Sequence, residues 1–373
     1  MDPPRCDGRT PGLVRRRGRD RVRAAIDAAD GFAPSLAASA PYRRAAAGEP
    51  ADRVLDAYAS VAGVNRILTA RGGAIGALGR LLAQPALEGV SLSLSPRPRG
   101  VELRVHSALD PTLERVAGSP AEPFTPSLAR YLPSGTTLML DVADLTRVAP
   151  RILGAAGAAG FAGGLAPLLG RLGGALGSEG VDIKGVLSAI FGRESAVAIV
   201  APASTPTLVV IARVRNVAQI RGELAALELP LSQLFPAPNS GPGGTPTFND
   251  VSVAGVTAHQ LALNPGLQLD YAVLGRLVVI STSLRGIAAV AQHRSTLQTA
   301  PDYWAELGSS PSSVTSLLFL DFSQLLSLGE QTGLTGRGRM RALLPDLQRI
   351  RAIGLSSTSG EADSTAELSL RIL

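Results

Sequence analysis

The chain has 373 residues, 45% of them hydrophobic, 18% charged and 4% aromatic. That length buries a sizeable core and argues for about two domains, while the low charge excludes wholesale disorder. A single cysteine, Cys6, excludes an internal disulfide framework and any cysteine-ligated metal cluster.

The net charge of +6 is concentrated at one end. Residues 1–23 hold eight arginines against Asp2, Asp7 and Asp20, a balance of +5. The remainder is close to neutral. A nucleic-acid footprint needs basic residues spread over a folded face, so these residues read as a solvated tail and no nucleic-acid partner is expected. Lys184 is the only lysine, a bias that fits a high-GC genome.

No apolar run follows Arg15-Arg16-Arg17, so neither a secretory nor a twin-arginine signal is legible. The uncharged stretch 152–170 (ILGAAGAAGFAGGLAPLLG) approaches the length of a membrane span. Its Gly, Ala and Pro167 supply little insertion energy, and a loose small-residue segment is the expectation.

Beyond a basic tail at 1–21, residues 22–29 read as a helix, and 51–71 and 74–83 show helical spacing through Leu55, Tyr58, Val61 and Leu68. Val90, Leu92 and Leu94 then alternate with serines. After the turn at PRPRG, Val101, Leu103 and Val105 alternate with Glu102, Arg104 and His106. Period two with one apolar face predicts an antiparallel hairpin. A Pro-rich linker spans 111–125. Strands are expected at 136–142, 195–201, 206–214, 253–263, 269–281, 315–322 and 364–373. Helices are expected near 143–154, 182–190, 216–226, 284–293, 323–330 and 340–350, with a surface loop at 237–248. The fold class implied is α+β, with antiparallel sheet and helices packed on one face.

The sequence also resembles itself. VRAAIDAA (22–29) matches SLRGIAAV (283–290) at an offset of 261, which pairs Ile26 with Ile287, Leu36 with Leu297, Tyr42 with Tyr303 and Pro50 with Pro311. GVSLSL (89–94) and VELRVHS (101–107) fall against IGLSST (353–358) and AELSLRI (366–372) with shifts of two to four residues. An internal duplication is therefore expected, with 22–110 the C-terminal part of a first unit and 126–373 a complete second one. The first unit should be incomplete. Residues 8–22 (GRTPGLVRRRGRDRV) stand where the second unit has LDYAVLGRLVVIST, which suggests a truncated or miscalled front. A weaker echo relates LPSGTTLMLDVADL (132–145) to SSPSSVTSLLFLDFSQL (309–325). It makes Asp141 and Asp321 strand-end residues that cap the following helices.

The stretches LARYLPSGTTLMLDV (128–142), IFGRESAVAIV (190–200), LDYAVLGRLVVISTS (269–283) and the terminal AIGLSSTSGEADSTAELSLRIL resemble an uncharacterised, mainly actinobacterial family known as domain of unknown function 3352. Members carry a Leu-Gly-Gly-Glu-like turn before an apolar strand. Here it reads Phe191-Gly192-Arg193-Glu194, departing by an arginine. The resemblance implies an extracytoplasmic protein held by a membrane anchor, although no signal or anchor is legible in this chain. It supplies no catalytic residues.

Chemistry is sparse. His106 falls on the polar face of the hairpin, His259 on a strand beside Leu261 and Leu263, and His293 at a helix end. None has metal-ligand spacing. There is no nucleophile elbow, Walker A loop or dinucleotide fingerprint. Glu194 beside Arg193 reads as a surface turn pair. No catalytic, cofactor or metal residue is assigned. The leading expectation is a non-enzymatic envelope protein that binds a lipid, peptide or partner protein. The alternative is a hydrolase with a dispersed Ser/His/Asp site, marked by a pocket that places His259 beside a serine and a carboxylate.

Overall fold

The computed structural model describes residues 22–66, 86–113, 122–149, 183–200, 206–233, 246–264, 267–292, 294–331 and 344–372. Its centre is a single antiparallel sheet in the order β1-β2-β3-β13-β12-β11-β4-β5-β6-β10-β9-β8-β7. The strands are β1 Leu55–Ser60, β2 Leu87–Arg97, β3 Gly100–Leu109, β4 Thr136–Val142, β5 Ser195–Val200, β6 Thr207–Arg213, β7 Phe248–Val253, β8 Val256–Asn264, β9 Leu267–Leu274, β10 Leu277–Ser281, β11 Ser316–Asp321, β12 Ile350–Ser359 and β13 Asp363–Ile372. The α+β class and the antiparallel pairing agree with the sequence.

Three readings are corrected. The segment 51–71 contains β1, because pairing with β2 from Leu55↔Leu94 to Ser60↔Gly89 overrides the helical spacing. The expected single strands 253–263 and 269–281 are each interrupted by a two-residue turn. At the first, Ala254 (φ 51) and Gly255 (φ 81) join β7 to β8; at the second, Gly275 (φ 59) and Arg276 join β9 to β10. Of the helix expected near 340–350, residues 344–347 are helical and 340–343 lie outside the described residues, but Ile350 already opens β12. The expectations for 1–21, 74–83 and 152–170, and for His293, fall outside the described residues.

Helices lie on both faces of the sheet, not on one. They include α1 Ala40–Ala45, α2 Val61–Val64, α3 Ile183–Phe191, α4 Val217–Gln233, α5 Leu284–Gln292, α6 Pro301–Leu307 and α7 Phe322–Gln331. The reason is visible on β6 and β10, which are apolar on both sides. Val209, Ile211 and Val279 join the main core with Ile287, Leu297 and Phe319, whereas Ala212 and Val278 pack on the other side with Ile190 of α3 and Ile220 and Leu224 of α4. A strand that is apolar on both faces needs cover on both. Among the described residues, no helix is long and apolar enough to cross a membrane.

The hairpin β2–β3 sits differently from the simple alternation rule. Ser91, Ser93 and Ser95 are buried, while Leu92 and Leu94 on the opposite face are only half-buried. Small side chains let α1 settle onto the strand, and Ser91 Oγ donates to the Ala45 carbonyl at 2.6 Å. The same device recurs on β12 under α6. There Ala352, Gly354 and Ser356 are buried, and a Cβ at Gly354 would stand 2.9 Å from Glu306 Cβ and 3.0 Å from Leu307 Cδ2.

The element order repeats along the chain. Helix 22–29, the 3₁₀ turn Leu36–Ala38, α1, β1, α2, β2 and β3 are followed later by α5, the 3₁₀ turn Leu297–Thr299, α6, β11, α7, β12 and β13. Adding 261 to the bounds of β1 gives those of β11. Within the hairpins the offset is 263: the register Leu94↔Leu103 becomes Ser357↔Ala366, and the irregularity between Leu87 and Gly89 falls at that between Ile350 and Ala352. The amide of Val54 donates to the Leu94 carbonyl at 2.8 Å, and that of Thr315 to the Ser357 carbonyl at 2.7 Å. The hairpins meet side by side through β3 and β13, with Arg104 opposite Glu367.

Candidate functional site

The meeting of the two hairpins creates a polar cleft of about 320 Å³. Its floor is the sheet itself: Ser91 and Ser93 from β2, Arg104 and His106 from β3, Thr365 and Glu367 from β13, and Thr358 from β12. Asp363 and the loop Ala47-Gly48-Glu49 after α1 complete the rim. These residues share one face because Ser91 pairs with His106, Ser93 with Arg104, and Arg104 with Glu367 across neighbouring strands.

Arg104 organises the cleft. Its Nη1 donates to the Gly48 carbonyl at 3.1 Å, and its Nη2 stands 2.7 Å from Glu367 and 3.7 Å from Glu102. Its Nε is buried without a hydrogen-bond acceptor among the described residues. His106 Nδ1 lies 2.9 Å from Thr365 Oγ1. Glu49 is paired with Arg53 at 3.3 Å. Asp363 has no cationic partner among the described ion pairs. Carboxylates thus outnumber guanidinium groups in the lining, beside four hydroxyl side chains.

A second polar cluster is buried at the end of β4. Glu194, on the turn before β5, accepts from the Ser127 amide, from Ser127 Oγ at 2.6 Å and from Arg213 Nε at 3.1 Å, while Arg213 Nη2 donates to Ser127 Oγ at 2.6 Å. Asp141 is fully buried beside this group, and neither of its carboxylate oxygens has a hydrogen-bond partner among the described residues. Burial, and secondarily the charge of Glu194, raise the Asp141 carboxyl well above its ordinary range, with Arg213 opposing. Burial also raises Tyr303, to which Asp141 adds.

On β7–β9, His259 Nδ1 lies 2.8 Å from Asp250 and 3.2 Å from Glu228, and its ring stacks on Tyr271 at 4.6 Å. Tyr271 donates to Glu228 at 2.5 Å; burial first, then that contact, raises the phenol far above its usual value. No serine is among the described partners of His259, so the arrangement that would mark a hydrolase is not assembled there. Asp270 is fully buried between Ser281 and Gln260 on neighbouring strands. Burial pushes its carboxyl up to about 6, against the opposing effect of Gln260 and Gln268.

The structure therefore brings His106 into the cleft and leaves His259 in a separate cluster. The two strand-end aspartates divide. Asp321 caps α7, accepting from the Gln324 amide at 3.0 Å and from Ser323 Oγ at 2.6 Å. Among the described residues Asp141 caps no helix; Asp144 takes that part, accepting from the Thr146 amide at 3.0 Å. Glu194 is not a surface turn pair with Arg193, because Arg213 and Ser127 draw it inward. Among the described residues, no group of His, Cys, Asp and Glu is arranged to hold a metal ion.

No family model matches the sequence, and no curated protein matches it. Solved structures of TP0453 are similar at a low level. Crystal form I has a TM-score of 0.33 and 12% identity over 66% of this chain and 79% of that one. Crystal form III has a TM-score of 0.30 and 10% identity over 65% and 92%.

Proposed function

We propose that this chain is a non-enzymatic binding module of the bacterial cell envelope. It is built from two copies of one sheet unit and holds a small hydroxylated amine in the cleft where the copies meet. The observation that carries the binding role is the lining of that cleft: four hydroxyls, a histidine and the carboxylate of Asp363, which has no cationic partner among the described ion pairs, beside Glu49 and Glu367, which are engaged by Arg53 and Arg104. Such a set complements hydroxyl groups and a positive charge. The carboxylates raised most by burial, Asp141 and Asp270, are absent from the lining. The two-copy reading is supported by the shared register and irregularity of the hairpins, and the envelope setting by the sequence resemblance to the domain of unknown function 3352 family.

The test is the melting temperature of the full chain titrated with glucosamine and, separately, with glucose. Glucosamine should stabilise by about 2.7 kcal/mol at a hundredfold excess over its Kd. Asp363→Asn and His106→Ala should abolish most of that shift. A shift with neither sugar, or one unchanged in both variants, refutes the reading.

A further inference from the structure

Equivalent positions in the two halves of the sheet differ sharply in cover. Ile287 and Leu297 are 0% exposed, whereas Ile26 and Leu36, 261 residues earlier, are each 53% exposed. Val22, Phe32, Val54 and Leu55 are exposed in the same part of the chain. Large apolar side chains exposed at positions whose later counterparts are enclosed mark a surface that lacks the cover those counterparts have.

The later positions show what the earlier ones lack. Leu297 is closed by the segment that leads into β4: its amide donates to the Leu132 carbonyl at 2.8 Å, and Leu128 and Leu132 share its core cluster. The segment then runs on as β4, antiparallel to β11, with Val142 opposite Ser316, Leu140 opposite Leu318 and Leu138 opposite Leu320. β11 is therefore paired on both sides. Among the described strands its counterpart β1 pairs with β2 alone, and none occupies its outer edge. An unpaired edge beside exposed apolar side chains is a template for a further strand.

We propose that the outer edge of β1 and the patch at Ile26 and Leu36 receive a polypeptide segment of the kind formed by residues 124–142: a leucine-bearing turn followed by an apolar strand. The inference rests on the two-copy reading. The strand runs antiparallel to β1, in the register that β4 keeps with β11, so its final residue lies opposite Leu55 and an apolar residue opposite Ala57. The preceding turn places a leucine on Leu36, as Leu132 covers Leu297. The edge suits a strand over a second copy of its own kind. β1 reads LDAYAS, and pairing it with itself supplies no turn to close Leu36.

The probe is a fluorescein-labelled peptide spanning residues 124–142, added to the full chain and followed by anisotropy and hydrogen exchange. Saturable binding is expected, with slowed exchange of amides in 55–60. A scrambled peptide should not bind, and Leu36→Asp should weaken binding by about tenfold or more. Leu36 is half exposed, so the variant should fold; unchanged circular dichroism checks this. Protection confined to β11, which would mean exchange with the chain's own β4, overturns the proposal. So does absence of binding, or a stable homodimer whose interface protects 55–60. The two-copy reading is scored separately, by superposing 55–109 on 316–372 in an experimental structure. Failure of the superposition overturns both ideas, and superposition without peptide binding overturns only this one.

Discussion

Replacing Asp270 with asparagine should make the protein more stable, and only above about pH 4. The carboxyl is fully buried in the sheet and is pushed up to about 6 from an ordinary value of 3.8. The folded protein therefore holds this proton more tightly than the unfolded chain does. Below pH 4 both states are protonated and the group is neutral in its effect. Between about pH 4 and 6 the unfolded chain has lost the proton while the fold retains it, so stability falls as pH rises. Above about 6 both are ionised, and the whole penalty remains. A separation of about 2 units corresponds to about 3 kcal/mol. Asparagine keeps the shape of the protonated acid and carries no charge to desolvate. The gain of Asp270→Asn over the parent should thus grow from near zero at pH 4 to at most about 3 kcal/mol at pH 7. Urea denaturation followed by far-UV circular dichroism at several pH values measures it. Subtracting parent from variant at each pH removes the titration of all other groups that do not couple to this one. A variant that is less stable at pH 7, or a difference that does not change with pH, would refute the reasoning.

Two further outcomes follow from the same burial and contact pattern. Ile287→Ala should cost about 2–5 kcal/mol and Ile26→Ala less than about 1, although both remove the same atoms, because only Ile287 is enclosed; equal costs in chemical denaturation would show that Ile26 is covered in solution. Arg213→Met should destabilise by about 3 kcal/mol at pH 7 by stranding Glu194 beside Asp141, and the loss should shrink when Glu194→Gln is made in the same chain; a loss of the same size in that background would assign it to packing.

Much of the sheet was legible because its strands carry local signals. The segment 136–142 lies between Gly135 and a helical stretch, and its bounds match β4. The hairpin β2–β3 was plain from alternation, but alternation said nothing about which face would be covered. Serine and glycine won the helix-facing side because a close approach by α1 and α6 needs small residues there. β1 was hidden because Leu55, Tyr58 and Val61 happen to fit a helical period, and only pairing with distant β2 decides the matter. The turns at Ala254-Gly255 and Gly275-Arg276 are not marked in the sequence because neither has the Asn-Gly or Asp-Gly signature. Sites were harder to see. Ser127, Glu194 and Arg213 meet only after the sheet has closed, and no spacing announces them. Likewise, nothing local relates His106 to Thr365, which is 259 residues away.

On the two-copy reading, the seam between β3 and β13 imposes a constraint of its own. With an offset of 263, Arg104 is the counterpart of Glu367, and these two residues also lie directly opposite each other. A residue at such a position faces its own equivalent, so an ionisable side chain kept identical in both copies would confront a like charge at close range, which is destabilising. Divergence to arginine on one side and glutamate on the other turns that repulsion into the 2.7 Å ion pair observed. The cost is that the seam is no longer symmetric. The rim gains Glu49 from the first copy and Asp363 from the second, and the cleft becomes a single acidic site instead of two equivalent halves. Exchanging the charges, with Arg104→Glu and Glu367→Arg together, should therefore preserve stability better than either change alone. Single variants as stable as the exchanged pair would show that the charges at the seam are not coupled.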